Sequence, residues 1–590
     1  MTRYTLRVLP ITLFQEIQMK SEPICRQTAS FSLLLALIGV FSVCPAETSP
    51  TPATAIRVDI TKTKGPITPI WAWFGYDEPN YTLSKDGKKL LSELAALSPV
   101  PVFVRAHNLM TSGDGTPALK WGSTNIYTED ADGNAVYDWT IVDQIFDTYV
   151  QRGMKPLVQF GFMPEALSIT PQPYRHHWKP GDPYDDIYTG WAYPPKDYGK
   201  WGELVFQWVR HCAERYGREE AASWRWELWN EPDAPYWKGT TQEYCTLYDH
   251  TAEAVKRALP EAPVGGPHVT GPAGGRGARF LREFLTHCAE GANAATGKIG
   301  TPLDFVAFHA KGNPRVIEGV VQMDMGAQLR DIRAGFEIVR SFEAFKDLPI
   351  IIGESDPEGC AACSIERYPH NDYRNGTMFS SYTAASFARK YELADAYGVN
   401  FLGAVSWSFT FPEQPWFSGF RSLATNGVDK PVLNVFRMFG MMRGRRVEVS
   451  DDLAYDAQAI CRGGVRGERP DIGALAAADA RSATVMVWNY HDKNIDAPAS
   501  LVELTLTGIA AKQALLHHYR IDSDHSNAYE AWKRMGSPQT PSSEQIDQLE
   551  NAGRLQLLTS PEWIRVTDGR AVIPMMLPRQ GVSLIKAEWQ

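Results

Sequence analysis

The stretch Trp224-Arg-Trp-Glu-Leu-Trp-Asn-Glu-Pro-Asp233 decides how the rest of this 590-residue chain is interpreted. It begins as a short run of aromatic and apolar residues and ends in a polar turn, which is typical of a buried β-strand leading into a loop. Pro232 lacks a backbone N–H and ends the strand. Asn230 and Glu231 therefore stand at its carboxyl end. An isolated Glu-Pro pair is usually a surface turn, but the surrounding tryptophans favour a functional carboxyl group.

Glu231 is expected to have a raised pKa and to act as a general acid. Three tryptophans lie near it in the sequence: Trp226, Trp229 and Trp237. Apolar surroundings disfavour the charged form of a carboxyl group, and the resulting raised pKa suits proton donation.

A general acid of this kind needs a second carboxyl group. The stretch Leu348-Pro-Ile-Ile-Ile-Gly-Glu-Ser-Asp-Pro357 supplies one, because it is another apolar strand and it ends in Glu354. Two carboxyl groups at the ends of two strands are what the hydrolysis of a glycosidic bond requires.

The composition is that of a globular protein, with 44% hydrophobic and 22% charged residues. The length predicts one large domain and a smaller one. A formal net charge of -9 and a pI near 5.9 argue against a nucleic-acid partner. The chain contains 18 Trp, 24 Tyr and 25 Phe, which supply rings that can stack on sugars.

Residues 1–46 are predicted to be a secretory signal peptide that is removed. The apolar run Phe31–Val43 follows two basic residues and precedes the small residues of Cys44-Pro-Ala46. The run is too short to span a membrane comfortably, so a secreted or periplasmic protein without a stable membrane span is expected. Met19 is expected to be the true start, because the charged region before the run is otherwise long.

Six cysteines remain after the predicted cleavage: Cys212, Cys245, Cys288, Cys360, Cys363 and Cys461. The pair Cys360-Ala-Ala-Cys363 is interpreted either as a local disulfide after Glu354 or as two thiols. Because no second such pair exists, a zinc site is not expected.

Eight predicted strands, each followed by a helical pattern, occupy residues 66–443. They are residues 70–74, 101–105, 156–160, 224–229, 263–265, 304–309, 349–353 and 401–407. This alternation predicts a (β/α)8 TIM barrel. An open doubly wound sheet is the alternative, but no Gly-rich phosphate loop follows the first strand. Residues 444–590 predict a β-sandwich, and residues 47–65 a linker with a strand that joins it.

The carboxyl ends of the barrel strands carry the candidate site residues. They are Arg105, His107 and Asn108 after strand 2, Phe162 after strand 3, Asn230, Glu231 and Trp237 after strand 4, His309 and Lys311 after strand 6, Glu354 after strand 7, and Trp407 after strand 8. Arg105 could also pair inside the barrel mouth, His309 could be a core histidine, and Trp407 could plug the barrel. The long loops 108–138 and 163–195 predict a walled pocket.

Five motifs together resemble glycoside hydrolase family 39 of clan A, which contains β-xylosidases and α-L-iduronidases. They are Trp229-Asn-Glu-Pro232, Ile352-Gly-Glu-Ser-Asp-Pro357, Phe308-His-Ala-Lys-Gly312, Gly161-Phe-Met-Pro164 and Asn426-Gly-Val-Asp-Lys-Pro431. The resemblance implies a retaining reaction without a cofactor or metal. It makes Glu231 the general acid/base, Glu354 the nucleophile and Asn230 a ligand of the sugar 2-hydroxyl.

The resemblance favours an exo-acting β-xylosidase that releases xylose from xylo-oligosaccharides, with α-L-arabinosidase as a side activity. Many xylosidases of the family carry tyrosine where this chain has Lys311, so a hydrolase of uronic-acid glycosides is an alternative. A non-catalytic carbohydrate-binding protein is the third. For a retaining enzyme the two carboxyl groups should lie about 5–5.5 Å apart. Glu231 should carry the proton, and Arg105 or His309 should keep Glu354 ionised.

Overall fold

The computed structural model of the protein describes residues 53–97 and 100–590. The expected signal peptide and the expected start at Met19 lie outside these residues. Within them, no helix has the length and apolar character needed to cross a membrane.

Eight parallel strands form the barrel in chain order, as predicted. They are Trp73–Tyr76, Phe103–Ala106, Lys155–Phe160, Arg225–Leu228, Val264–Val269, Phe305–Phe308, Ile350–Ile352 and Phe401–Ala404, and are called strands 1 to 8 below. The barrel closes between strands 8 and 1, where the backbone N–H of Ser406 donates to Trp73 (2.9 Å) and Ser406 accepts from Gly75 (3.0 Å).

Helices cover the outside of the barrel. They are Lys85–Ala95, Thr140–Val150, Tyr198–Tyr216, Arg218–Ser223, Thr241–Ala258, Gly275–Glu290, Met325–Arg340, Thr377–Tyr397 and Pro431–Met441. Helix Thr241–Ala258 begins with a capping box, in which the Thr240 side chain accepts from the backbone N–H of Glu243 while the Glu243 carboxylate accepts from the backbone N–H of Thr240. Helix Thr377–Tyr397 is buried around most of its circumference, because it packs against both the barrel and the C-terminal sheet.

The C-terminal region is sheet-rich, as predicted, and ten strands form one continuous hydrogen-bonded sheet. Its strands are Thr54–Pro66, Arg445–Asp451, Asp471–Ala478, Ser482–Tyr490, Ser500–Thr507, Gln513–Ile521, Gln556–Leu557, Glu562–Arg565, Arg570–Leu577 and Val582–Glu588. Thr54–Pro66 lies between Arg445–Asp451 and Ser500–Thr507, so the start of the described chain is part of this sheet. Residues from both ends of the strand order share one core, so the sheet folds over on itself.

Shorter elements complete the chain. Helices Ala457–Gly463, Ala528–Arg534 and Ser543–Gly553 lie in the C-terminal region, and hairpins pair Tyr127–Glu129 with Ala135–Tyr137, Arg315–Ile317 with Val320–Gln322, and Ala424–Thr425 with Val428–Asp429.

Every barrel strand differs from its predicted bounds at one or both ends, and strands 5 and 1 extend furthest beyond their predicted carboxyl ends. Strand 5 is longer than predicted and extends through Gly265, Gly266 and Pro267, because both of its neighbours pair with it and burial overrides weak strand propensity. Strand 1 ends at Tyr76, beyond the predicted Phe74. Asp77 therefore stands at the barrel mouth.

Candidate active site

The carboxyl groups of Glu231 and Glu354 face each other across the barrel mouth. Glu231 follows strand 4 and Glu354 follows strand 7, and one oxygen of each lies within 4.8 Å of the other. Both residues are buried, with 9% and 4% of their surfaces exposed. This separation agrees with the ~5–5.5 Å of retaining glycosidases and is shorter than the ~6.5–9.5 Å of inverting ones.

The ammonium group of Lys311 joins the two carboxyl groups. Its Nζ lies 2.8 Å from Glu231 Oε1 and 2.7 Å from Glu354 Oε2. Lys311 lies in the loop after strand 6, which is hydrogen-bonded to the loop after strand 7. The backbone N–H groups of Ala310 and Gly312 donate to the backbone carbonyls of Glu354 and Asp356. Lys311 is thereby fixed between the two carboxyl groups, and their charges raise its pKa against the effect of burial.

The expectation that Glu231 has a raised pKa is wrong for this arrangement. Burial does raise it, but the Lys311 ammonium and the hydrogen bond from His309 outweigh burial and hold the pKa of Glu231 at about 2. Although burial also opposes ionisation of Glu354, Lys311 and His309 hold its pKa well below the usual range. Both carboxyl groups are therefore ionised at neutral pH while Lys311 lies between them.

His309 lies at the centre of the site and is not an isolated core histidine. Its Nδ1 lies 2.9 Å from Glu231 Oε1 and 3.7 Å from Glu354 Oε1. Glu231, His309 and Glu354 offer oxygen and nitrogen atoms close enough to hold a metal ion. Because the Lys311 ammonium already bridges the two carboxylates, the protein supplies its own cation at this position.

Arg105 forms the ion pair considered for it inside the mouth and also contacts Glu354. Inside the mouth its Nε pairs with Glu227 Oε1 at 2.6 Å, and its Nη1 lies 3.5 Å from Glu354 Oε1. Its Nη2 donates to Asn230 Oδ1 at 3.1 Å. This hydrogen bond fixes the orientation of the Asn230 side-chain amide. Its Oδ1 accepts from Arg105, and its Nδ2 is the atom that can donate to a ligand.

An aromatic wall stands beside Glu354. His107 Nε2 lies 3.4 Å from Glu354 Oε1, and burial lowers the pKa of this imidazole. The centre of the His107 ring lies 4.2 Å from the centre of the Trp407 ring and 5.6 Å from the centre of the Phe162 ring. Trp407 packs directly over the backbone of Gly75, where an added Cβ would lie 2.4 Å from the indole. Trp407 thus lines the mouth and also fills the barrel beneath it.

Trp237 contacts neighbouring backbone and Trp229, and its role as a ligand of the sugar stays a prediction. Its indole nitrogen donates to the Thr240 carbonyl at 3.0 Å, and its ring packs edge-on against Trp229. Asn108 has a structural contact, since its side-chain amide donates to the backbone carbonyl of Asp77 at 2.9 Å. Trp226 is fully buried against Phe160.

Sequence reasoning missed three charged residues near the mouth. Glu227 is a carboxylate inside strand 4 that binds Arg105. Asp77 pairs with Lys120, with Oδ2 and Nζ 2.7 Å apart. The polar pair Asp77-Glu78 at the end of strand 1 was a readable signal, because strand ends were the criterion for the other candidates.

The loop after Glu354 contains a disulfide between Cys360 and Cys363, which settles the two interpretations of that pair. The Arg374 guanidinium donates to the backbone carbonyls of both cysteines. The remaining cysteines of the described chain are free and buried.

Comparison with known proteins shows the family of the chain. The family model for glycosyl hydrolases family 39 matches residues 54–562. A β-xylosidase of Geobacillus stearothermophilus is 28% identical over 82% of this chain and 86% of its own. An α-L-iduronidase of Mus musculus is 24% identical over 88% of this chain and 78% of its own. The crystal structure of a monomeric β-xylosidase from Caulobacter crescentus superposes with a TM-score of 0.70 at 24% identity, covering 91% of this chain and all of that one.

The fold and the pair of carboxyl groups define a glycoside hydrolase built on a TIM barrel. The match spans most of the chain, and the protein belongs to glycosyl hydrolases family 39.

Replacing Lys311 by methionine should move the pH profile of activity to higher pH. Lys311 stabilises the ionised forms of both carboxyl groups, so its removal raises both pKa values. The apparent pKa of the acid limb, measured from kcat/KM for an aryl glycoside, should increase by about one unit or more. Lys238→Met removes an equal charge at an exposed position and should leave the profile unchanged. An unchanged acid limb in Lys311→Met would contradict the assigned electrostatics.

Proposed function

We propose that the protein is a retaining, exo-acting β-xylosidase that releases xylose from the non-reducing end of xylo-oligosaccharides, with α-L-arabinosidase as a side activity. The supporting observation is the short separation of Glu231 and Glu354, with oxygens within 4.8 Å. The β-xylosidases among its relatives, 28% and 27% identical, support the choice of sugar.

In this proposal Glu354 attacks the anomeric carbon while Glu231 protonates the leaving oxygen, and Glu231 then activates a water that releases the sugar. Arg105 and His107 hold the Glu354 carboxyl group for attack, at 3.5 Å and 3.4 Å. The free amide nitrogen of Asn230 donates to the sugar 2-hydroxyl, because Arg105 occupies its oxygen.

Proton donation requires that Glu231 and Lys311 separate, since the ammonium keeps that carboxyl group ionised. A sugar ring that enters between the carboxyl groups moves Lys311 away from Glu231, and burial then raises the pKa. Glu354 also raises the pKa of Glu231 through charge repulsion. When the covalent intermediate forms, Glu354 loses its charge, and the pKa of Glu231 falls as it becomes the base.

Aromatic rings beside Phe162 support exo action in this proposal. Three rings of loop 163–195 contact Phe162 or Tyr236: Tyr184, Tyr188 and Trp191. Such a wall next to a buried pair of carboxyl groups would admit the end of a chain more readily than its middle.

Export to the periplasm or the cell exterior is part of the proposal. The disulfide between Cys360 and Cys363 supports it, because such bonds persist in oxidising compartments.

The proposed partner is a saccharide. The acidic net charge of -9 favours a saccharide over a nucleic acid as partner.

The loss of turnover should differ between variants that lack the Glu354 carboxyl group and variants that lack the Glu231 carboxyl group. Glu354→Ala should abolish turnover of every aryl β-xyloside, because attack precedes all other steps. Glu231→Ala should spare glycosylation by substrates with good leaving groups but lose about 10²–10⁴-fold on poor ones. It should also accumulate glycosyl-enzyme, which azide releases as the β-glycosyl azide. Azide rescue of Glu354→Ala with retained configuration would show that the two roles are reversed.

A second candidate, hydrolysis of uronic-acid glycosides, is favoured by Lys311. This ammonium lies inside the pocket with 18% of its side chain exposed, within reach of a substrate carboxylate. An anionic sugar would compete with Glu231 for Lys311 and so help to free the general acid. The α-L-iduronidases among the relatives of the chain support this alternative.

A screen of aryl β-xyloside, α-L-arabinoside and α-L-iduronide separates the two candidates. The xylosidase proposal predicts the highest kcat/KM on the β-xyloside, and Lys311→Met should not change that order. The uronide candidate predicts preference for the iduronide, and Lys311→Met should lower kcat/KM on the iduronide by about 10- to 100-fold relative to the xyloside, as expected for a lost charged hydrogen bond. Lys238→Met serves as the matched control in each assay.

A further inference from the structure

A buried ion pair lies at the end of strand 1. It is separate from the carboxyl groups of Glu231 and Glu354. Asp77 Oδ2 and Lys120 Nζ lie 2.7 Å apart, and only 5% and 6% of the two side chains are exposed. Taking two charges out of water costs free energy that their attraction does not always repay. Stability alone therefore does not account for a buried pair at this position.

The strand order places this pair on a third side of the barrel mouth. Asp77 follows strand 1, Glu231 strand 4 and Glu354 strand 7, so the three carboxylates divide an eight-stranded circle into similar arcs. A sugar ring with its anomeric carbon between Glu231 and Glu354 directs its opposite edge toward strand 1.

Asp77 lies close to the carboxyl group of Glu354, and His107 contacts both. His107 Nε2 lies 3.4 Å from Glu354 Oε1 and 3.6 Å from Asp77 Oδ1. The contact with Asp77 exceeds the length of a good hydrogen bond, so His107 does not fully satisfy this oxygen. The two contacts place Asp77 Oδ1 at most about 7 Å from Glu354 Oε1, so one pyranose ring with its hydroxyls can reach both carboxyl groups.

Lys120 contacts two tyrosines near the barrel mouth. Its Nζ lies 3.5 Å from the Tyr236 hydroxyl and 5.5 Å from the centre of the Tyr184 ring. The residue adopts a left-handed backbone conformation, with φ of 58°, and its N–H donates to Glu78 Oε1 at 2.7 Å. Residues held in this conformation are uncommon and concentrate at functional sites.

We propose that Asp77 and Lys120 bind two adjacent hydroxyl groups on the edge of the terminal sugar opposite the scissile bond. The carboxylate accepts from one hydroxyl and the ammonium donates to the other. This inference rests on the proposed exo-glycosidase function and adds a cause for it. In a 1,4-linked chain an internal sugar carries its neighbour on one of these hydroxyls, and a buried pair leaves no space for that neighbour.

Substrates that lack one hydroxyl test the contact directly. Wild-type enzyme should show a kcat/KM about 10- to 100-fold lower on the 3-deoxy or the 4-deoxy aryl β-xyloside than on the parent, as expected for hydrogen bonds to charged groups. Asp77→Asn and Lys120→Met should each lose most of the discrimination against one of the two analogues. Lys155→Met breaks a partly buried ion pair with Glu220 at the opposite end of the barrel and should discriminate as wild type does.

Each comparison is a ratio within one enzyme, so a smaller folded fraction in a variant cancels. Discrimination equal to wild type in both Asp77→Asn and Lys120→Met would overturn the proposed subsite. If one variant fails to fold, the other carries the test. If wild type does not turn over the xyloside, the proposed function has failed instead, and the same cycle is run with deoxy analogues of the glycoside that it hydrolyses.

Discussion

The ammonium group of Lys311 sets the charge state of the site, because it lies between two carboxylates that would otherwise repel each other. It contacts Glu231 at 2.8 Å and Glu354 at 2.7 Å, in a mouth where little water screens the charges. Without such a cation, two buried carboxyl groups this close would share one proton. With it, both are ionised, and a change in the position of Lys311 decides which one gains a proton.

The barrel makes this contact possible by bringing together the ends of strands far apart in sequence. Glu231 and Lys311 are 80 residues apart, yet strands 4 and 6 deliver them to one side of the mouth. Beneath them, Arg105 pairs with Glu227 and also reaches Asn230. This buried layer fixes the side chains that would touch a sugar, and rigid barrel strands hold the layer in place.

Much of this arrangement could be predicted from the sequence. The stretch around Asn230-Glu231 and the strand ending in Glu354 each combine an apolar run with a polar end, and the barrel rule places such ends at one face. His309 and Lys311 followed from the same rule. The sequence also predicted a sheet-rich C-terminal region, where residues along a strand such as Arg570–Leu577 alternate between exposed and buried.

The errors share a cause, which is that sequence shows neighbours along the chain but not neighbours in space. The tryptophans near Glu231 predicted a raised pKa, whereas the nearest groups in space are the cation from strand 6 and His309. Trp237 lies close in sequence and packs edge-on against the Trp229 ring. Asp77 was missed because strand 1 ends at Tyr76, two residues beyond the predicted Phe74.

The configuration of the first sugar released tests the central claim most directly, since it reports how Glu231 and Glu354 cooperate. The hydrolysis of an aryl β-xyloside can be followed by proton NMR at early times, before the anomers of free xylose equilibrate. A separation within 4.8 Å predicts that the β-anomer forms first. First formation of the α-anomer would contradict both the double-displacement mechanism and the roles proposed for the two carboxyl groups.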